Sequence, residues 1–216
     1  MSKNRKIMSD KKLFSYLMTH HSGFAPNPFF GCLTLATCMT DIRRTKKVGN
    51  WVAGFAGKTL VRKCKELGIT IPHQGLIYLM EIGEIITLDA YFHDPRFQQK
   101  KAIPLGTNNL IQEHGDNIYF TDSSGCYIQL ENDNHDEGEL IKDTKGKNVL
   151  IAKQFYYFGR NCPVPEASWA SMNVNVPDRY IGYGCESDAL ALDGMIGFLQ
   201  RNTERDGIQG LPCIWD

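Results

Sequence analysis

No CxxC or HxxxH spacing occurs in the 216 residues, so nothing in the sequence advertises a zinc site. The seven cysteines are odd in number and scattered, unlike the framework of a disulfide-stapled secreted domain. Charge of one sign is not in excess either: 24 Lys and Arg balance 24 Asp and Glu, so no global field draws the protein onto nucleic acid. No run of about 18 apolar residues is present, which excludes a spanning helix. The first twelve residues are basic but lack the apolar stretch of a secretory leader. Neither G-x-S-x-G nor G-x-x-x-x-G-K-[ST] appears, and GYGCES (182–187) begins like a dinucleotide fingerprint without its third glycine. Gly182 and Gly184 therefore read as turn residues. A reduced, cytoplasmic protein is expected, with no membrane partner, no metal and no cofactor.

The chain does carry strand-rich apolar segments with a few helical ones between them. LFSYLMTH (13–20), WVAGFAG (51–57), LIYLMEIGEII (76–86) and NVLIAKQFYYFG (148–159) favour strands, with Gly83 suited to a bulge. LTLATC (33–38) fits a strand or a helical turn, and NIYF (117–120) with CYIQL (126–130) flanks a turn, as in a hairpin. TLVRKCKELGI (59–69) spaces its apolar residues on one helical face before Gly68. TLDAYFHDPRF (87–97) reads as a short helix capped by Thr87 or Asp89, ending before Pro95. Residues 187–202 suit an amphipathic helix capped by Ser187, and NDNHDEGELIKDTKGK (132–147) reads as an exposed charged loop. The fold class is α+β, a strongly bent mixed sheet or small barrel with inserted helices and a C-terminal amphipathic helix. One domain spans residues 1–216, with a core over about 13–160 and an extension over 161–216.

Candidate chemistry is spread thinly. Cys38 is a possible nucleophile, and Asp89, His93 and Asp94 with Arg96 form the densest ionisable cluster, Asp89 and His93 sharing a helical face. Aromatic residues make the stronger case. Phe24 lies in the Gly/Pro loop SGFAPNPFF, and Trp51 and Phe55 lie in the Gly-containing strand, where rings can stack on bases. The basic run 43–47 adds donors for phosphate.

The runs SGFAPNPFFGCLTLATCMTDIRR, VGNWVAGFAGK, LIYLMEIGEIITLDAYFHDPRF, HGDNIYF and FYYFG resemble the nucleotide modification associated domain 2 family over roughly residues 13–160. That family occurs in bacteria and bacteriophages, and the resemblance implies a connection with DNA base modification without assigning catalytic residues. The order of strands and the Asp-Pro helix end are also similar, at fold level, to PUA-like EVE, ASCH and YTH domains. On that likeness Trp51 and Phe55 line a base pocket, Phe24 and Asn27 form its rim, and Arg43 and Arg44 meet phosphate. The ionisable cluster, read by itself, puts His93 or Arg96 at the rim of a pocket, touching a phosphate or base edge. The expected function is recognition of a modified base in a nucleotide or nucleic acid. The alternatives are an enzyme acting on a nucleotide or modified base, and an interaction protein of a modification system.

Overall fold

A computed structural model describes residues 11–104, 106–179 and 184–215. Seven strands make one mixed sheet: β1 (Leu13–Met18), β2 (Thr34–Leu35), β3 (Trp51–Ala56), β4 (Leu76–Thr87), β7 (Asn148–Tyr157), β8 (Cys185–Ser187) and β9 (Gly207–Ile208). The order is β2-β7-β4-β3-β1-β8, with β9 beside β7. The pairs β1–β3 and β7–β9 are parallel; β1–β8, β2–β7, β3–β4 and β4–β7 are antiparallel. A separate hairpin joins β5 (Tyr119–Thr121) to β6 (Tyr127–Gln129). Among the described strands the sheet has two ends and does not close, so of the two expected forms, mixed sheet or small barrel, it is the mixed sheet that is found. Its edges are strands of two or three residues, too short to meet around a barrel.

All six residues of β1 and of β3 are buried, as expected of strands covered on both faces. β4 bends where its pairing with β7 slips between Glu81 and Glu84, around Gly83. A Cβ on Gly83 would stand 2.6 Å from the Cβ of Lys153, so the bulge needs glycine.

Short helices fill the connections: α1 (Thr40–Thr45), α2 (Lys58–Glu66), α3 (Leu88–His93), α4 (Leu110–Glu113), α5 (Glu137–Thr144) and α6 (Ala189–Asn202). Thr87 caps α3 through its Oγ1, which accepts from Ala90 N at 3.1 Å; Asp94 caps the 3-10 turn Pro95–Lys100 that follows. Asp188 caps α6, whereas Ser187 ends β8. Gly184 has φ +74, and Gly182 lies outside the described residues. The segment 132–147, expected as a loop, contains α5. Leu60 and Cys64 of α2, with Leu192, Met195, Phe198 and Leu199 of α6, join the strands in the main apolar core. No helix among the described residues is long and apolar enough to cross a membrane.

The Gly/Pro loop after β1 is held from inside by a buried lysine. Lys100 Nζ donates to Asn27 O (3.0 Å), Asn27 Oδ1 (2.8 Å) and Cys32 O (2.9 Å). Asp116, also buried, accepts from Thr34 Oγ1 (2.6 Å) and Tyr91 OH (2.7 Å). Burial pulls the Lys100 pKa down and pushes the Asp116 carboxyl up, each offset by the other's charge. With its backbone so fixed, the loop lays Phe29 flat on Trp215 (centroids 5.2 Å apart) and turns Phe24 edge-on to His135 (4.8 Å).

Lys100→Met is expected to lower the unfolding free energy in urea by about 3–5 kcal/mol, since it strips a buried carboxylate of its cation and three acceptors of their donor. Lys58→Met, on the exposed start of α2, is expected to stay within about 0.5 kcal/mol. Equal effects would show that the buried lysine does not hold the loop.

Candidate functional site

Between β2 and α1 the chain makes a tight reversal at Cys38 and Met39, both in the left-handed region (φ 54 and φ 35). Neither residue type settles there readily, so the bend must be held by its surroundings. Arg43 and Asp143 hold it. Arg43 Nε donates to Cys38 O (2.7 Å), and Asp143 Oδ2 accepts from Cys38 N (3.1 Å). The rest of the Arg43 guanidinium donates to Asn148 O (2.9 Å), Asp143 O (2.7 Å) and Asp143 Oδ1 (3.4 Å). Gly146 makes room for it: a Cβ there would sit 2.7 Å from Arg43 Cζ.

His135 reaches the same place from the other side. It precedes Asp136, whose Oδ1 caps α5 by accepting from Gly138 N (2.8 Å). Asn132 Oδ1 accepts from His135 N (2.8 Å), and Gln129 Nε2 donates to His135 O (2.8 Å), which fixes the backbone. The ring then stands between a thiol and a carboxylate. Nε2 lies 3.2 Å from Cys38 Sγ, and Nδ1 lies 3.0 Å from Asp143 Oδ2. Tyr119 OH donates to Asp143 Oδ2 (3.1 Å) and lies 3.2 Å from His135 Nδ1. Thiol, imidazole and carboxylate thus form a chain in which the base is oriented by a third group.

The electrostatics follow from that order. Burial alone would lower the His135 pKa, yet hydrogen bonds to Asp143 and Cys38 raise it to about 10. Burial would likewise raise Asp143, but the His135 hydrogen bond and the Arg43 charge bring its carboxyl below the usual value. The two shifts agree on an imidazolium–carboxylate pair. The His135 side chain is 8% exposed and Asp143 fully buried, while Cys38 is half-buried. Cys38 lines two concavities. One, of about 730 Å³, is walled by Tyr16, Leu17, Met18 and Met39 with Lys142 and Lys145. The other, of about 450 Å³, includes Phe24, Asn134, His135 and Lys63.

The residues expected from the sequence fall in different places. Cys38 stands at the centre, and Phe24 reaches it through its contact with His135. Arg43 is adjacent but fully enclosed; its donors serve the bend and are turned away from any phosphate in solution. Arg44 is exposed and pairs with Asp41 at 3.0 Å. Asn27 is buried on Lys100, away from the rim assigned to it. Trp51 is 2% exposed and Phe55 packs edge-on to Trp169, so both rings fill the core. Asp89, His93, Asp94 and Arg96 lie together around α3. Asp89 Oδ1 accepts from Thr121 N and Oγ1 (both 2.7 Å), with the 64%-exposed His93 ring 3.8 Å away. Arg96 bridges Glu84 (2.8 Å) and Asp94 (2.7 Å). Phe24, Asn27, Trp51 and His93 therefore do not converge on one concavity.

His135, Asp143 and Tyr119 escaped the sequence reading. The available signal was Asp136 followed three residues later by Glu139, a helix-start pattern that would have put His135 just before a helix and Asp143 in its last turn. Among the described residues no three His, Cys, Asp or Glu side chains gather as a metal site.

A histidine whose pKa rises on folding stabilises the fold fully below its unfolded value of 6.5 and loses that contribution as pH rises through about 10. Asp143, lowered on folding, contributes above 3.8 and loses its share in acid. Urea unfolding of the wild type is expected to show stability falling between pH 6.5 and about 10, and His135→Gln to flatten that fall. A slope unchanged by the substitution would show that no charged His135 is held by Asp143.

No curated protein and no solved structure matches the chain. The description "nucleotide modification associated domain 2" matches residues 10–175. That span takes in Cys38, Tyr119, His135 and Asp143 together with the strands that carry their loops, and the chain belongs to the nucleotide modification associated domain 2 family.

Proposed function

We propose that the chain is a thiol-dependent enzyme of a nucleotide-modification system, acting on a nucleotide or modified base by acyl-type transfer or hydrolysis. The carrying observation is the sequence of contacts from Cys38 Sγ to His135 Nε2 (3.2 Å) and from His135 Nδ1 to Asp143 (3.0 Å), at the junction of two concavities. Cys38 is the nucleophile. Its sulfur attacks in the deprotonated form, its proton released to solvent, beside the His135 imidazolium at 3.2 Å, and an S–C bond forms at a trigonal carbon of the substrate. His135 gives its Nε2 proton to the leaving group as the C–X bond breaks. Water or an amine then attacks the thioester, passing a proton back to His135 as the S–C bond breaks and the sulfur is released. Asp143 orients and charges the imidazole, while Tyr119 and Arg43 are positioning residues that hold Asp143.

Family membership supplies the nucleotide connection. A pure reader of modified bases with PUA-like character is the second reading, favoured by Phe24 in the lining of the smaller concavity. It has no use for a thiol with an oriented base.

Iodoacetamide labelling followed by peptide mass spectrometry separates the two. At pH 7 Cys38 is expected to react about tenfold or more faster than the exposed Cys126, an advantage lost in His135→Ala. Turnover of a nucleotide panel is expected to drop about 10³-fold or more in Cys38→Ser. A Cys38 no more reactive than Cys126, with no turnover, would leave the reader.

A further inference from the structure

The larger concavity beside Cys38 is two-faced. One wall is apolar and comes from the end of β1 and the bend: Tyr16, Leu17, Met18 and Met39. The lining also carries two cations from the end of α5 and its C-cap, Lys142 and Lys145, three residues apart and so on one face. Asp143, between them in sequence, points inward to His135. The helix thus turns its carboxylate to the imidazole and its ammonium groups to the cavity. Lys142 pairs with Glu139 at 3.0 Å on the surface, and Lys145 has no side-chain partner among the described residues. The acid on this rim, Asp41, is committed to Arg44. The smaller concavity is a poorer match for an anion, since Asp133, Asp136 and Glu139 offset Lys63 and Lys142 there.

A cavity of about 730 Å³ is within the range that holds small-molecule ligands, about 300–1,000 Å³. A cavity lined by apolar side chains and a pair of ammonium groups suits a ligand with a planar or apolar part and an anionic part. We infer that this cavity is the substrate site, that its anionic subsite is made by Lys142 and Lys145 and takes a phosphate group, and that the base of a nucleotide lies on Tyr16, Met18 and Met39 next to Cys38. This rests on Cys38 being the nucleophile. His20 stands at the same rim; burial lowers its pKa, and Lys63, His114 and His135 lower it further.

The phosphate can be a monoester of a free nucleotide or a diester in a polynucleotide, and the shared chemistry is tested first. Alkylation rates of Cys38 and Cys126 are measured in the same molecules with iodoacetate and iodoacetamide. The iodoacetate-to-iodoacetamide ratio is expected to be higher at Cys38, to shrink with salt, and to fall about fivefold or more in Lys142→Gln/Lys145→Gln, while the ratio at Cys126 is unmoved. A ratio at Cys38 that ignores both substitutions overturns the anionic subsite. Slow alkylation of Cys38 by both reagents overturns the nucleophile reading instead, so the two failures are distinguishable. Protection supplies the second arm. A nucleoside 5′-monophosphate that slows Cys38 alkylation where the nucleoside does not supports the subsite with a free nucleotide. Protection by a single-stranded oligonucleotide but not by the monophosphate supports it with a polymer. Equal protection by nucleoside and monophosphate overturns it.

Discussion

Asp143 is the carboxylate on which the fold and the candidate site both depend. Its Oδ2 accepts from Cys38 N and Tyr119 OH and faces His135 Nδ1, while Oδ1 meets Arg43. Removing a carboxylate from water costs several kcal/mol unless its lone pairs are satisfied and a cation is near. Here both conditions are met by residues from four parts of the chain. The same contacts that make the buried charge tolerable hold Cys38 and Met39 in the left-handed region. The strained bend and the oriented imidazole are therefore one construction, and loosening the carboxylate would relax both.

The long strands were legible because each is an apolar run whose neighbours are also buried. β1, β3 and β7 lie within the segments that their composition marks, and β4 overruns its own only by Thr87. The bulge at Gly83 was legible for a steric reason, and α2 from its periodicity. Sheet closure was not. It turns on β2, β8 and β9, which have two or three residues each and exist because a long strand offers them an edge. No local pattern encodes such a strand.

The candidate site was half legible for a related reason. Cys38 could be named as a thiol, but its base is 97 residues away and its carboxylate contact 105 away. The segment supplying both reads as solvated because it is acidic and polar, yet its His135 and Asp143 turn inward toward Arg43. Arg43 itself came from a run that reads as a basic surface. Polarity in sequence does not distinguish a charge that faces water from one that faces an opposite charge. The aromatic residues erred the other way. Trp51 and Phe55 have the side chains of a stacking platform, but a strand buried on both faces turns them into core.

A second thiol–imidazole contact in the same chain shows what the carboxylate adds. His21 Nδ1 lies 3.1 Å from Cys213 Sγ, almost the same separation as between His135 and Cys38. Behind His21, however, stands Tyr157 OH at 2.7 Å, with no carboxylate among the described residues. Nδ1 also accepts from Cys213 N (3.2 Å), so the ring proton sits on Nε2 and is given to the tyrosine. Burial, helped by His20, lowers the His21 pKa to about 3, the opposite direction to His135. Cys213 is fully buried, and desolvation pushes its thiol up. That pair pins the C-terminal segment to the loop after β1, where Ile214 N also donates to His21 O (3.0 Å). A neutral imidazole in an apolar enclosure serves as a structural clasp. The same two side chains, backed by Asp143 and opened to a cavity, give a charged imidazole beside a half-buried thiol. The difference lies in what stands behind the ring.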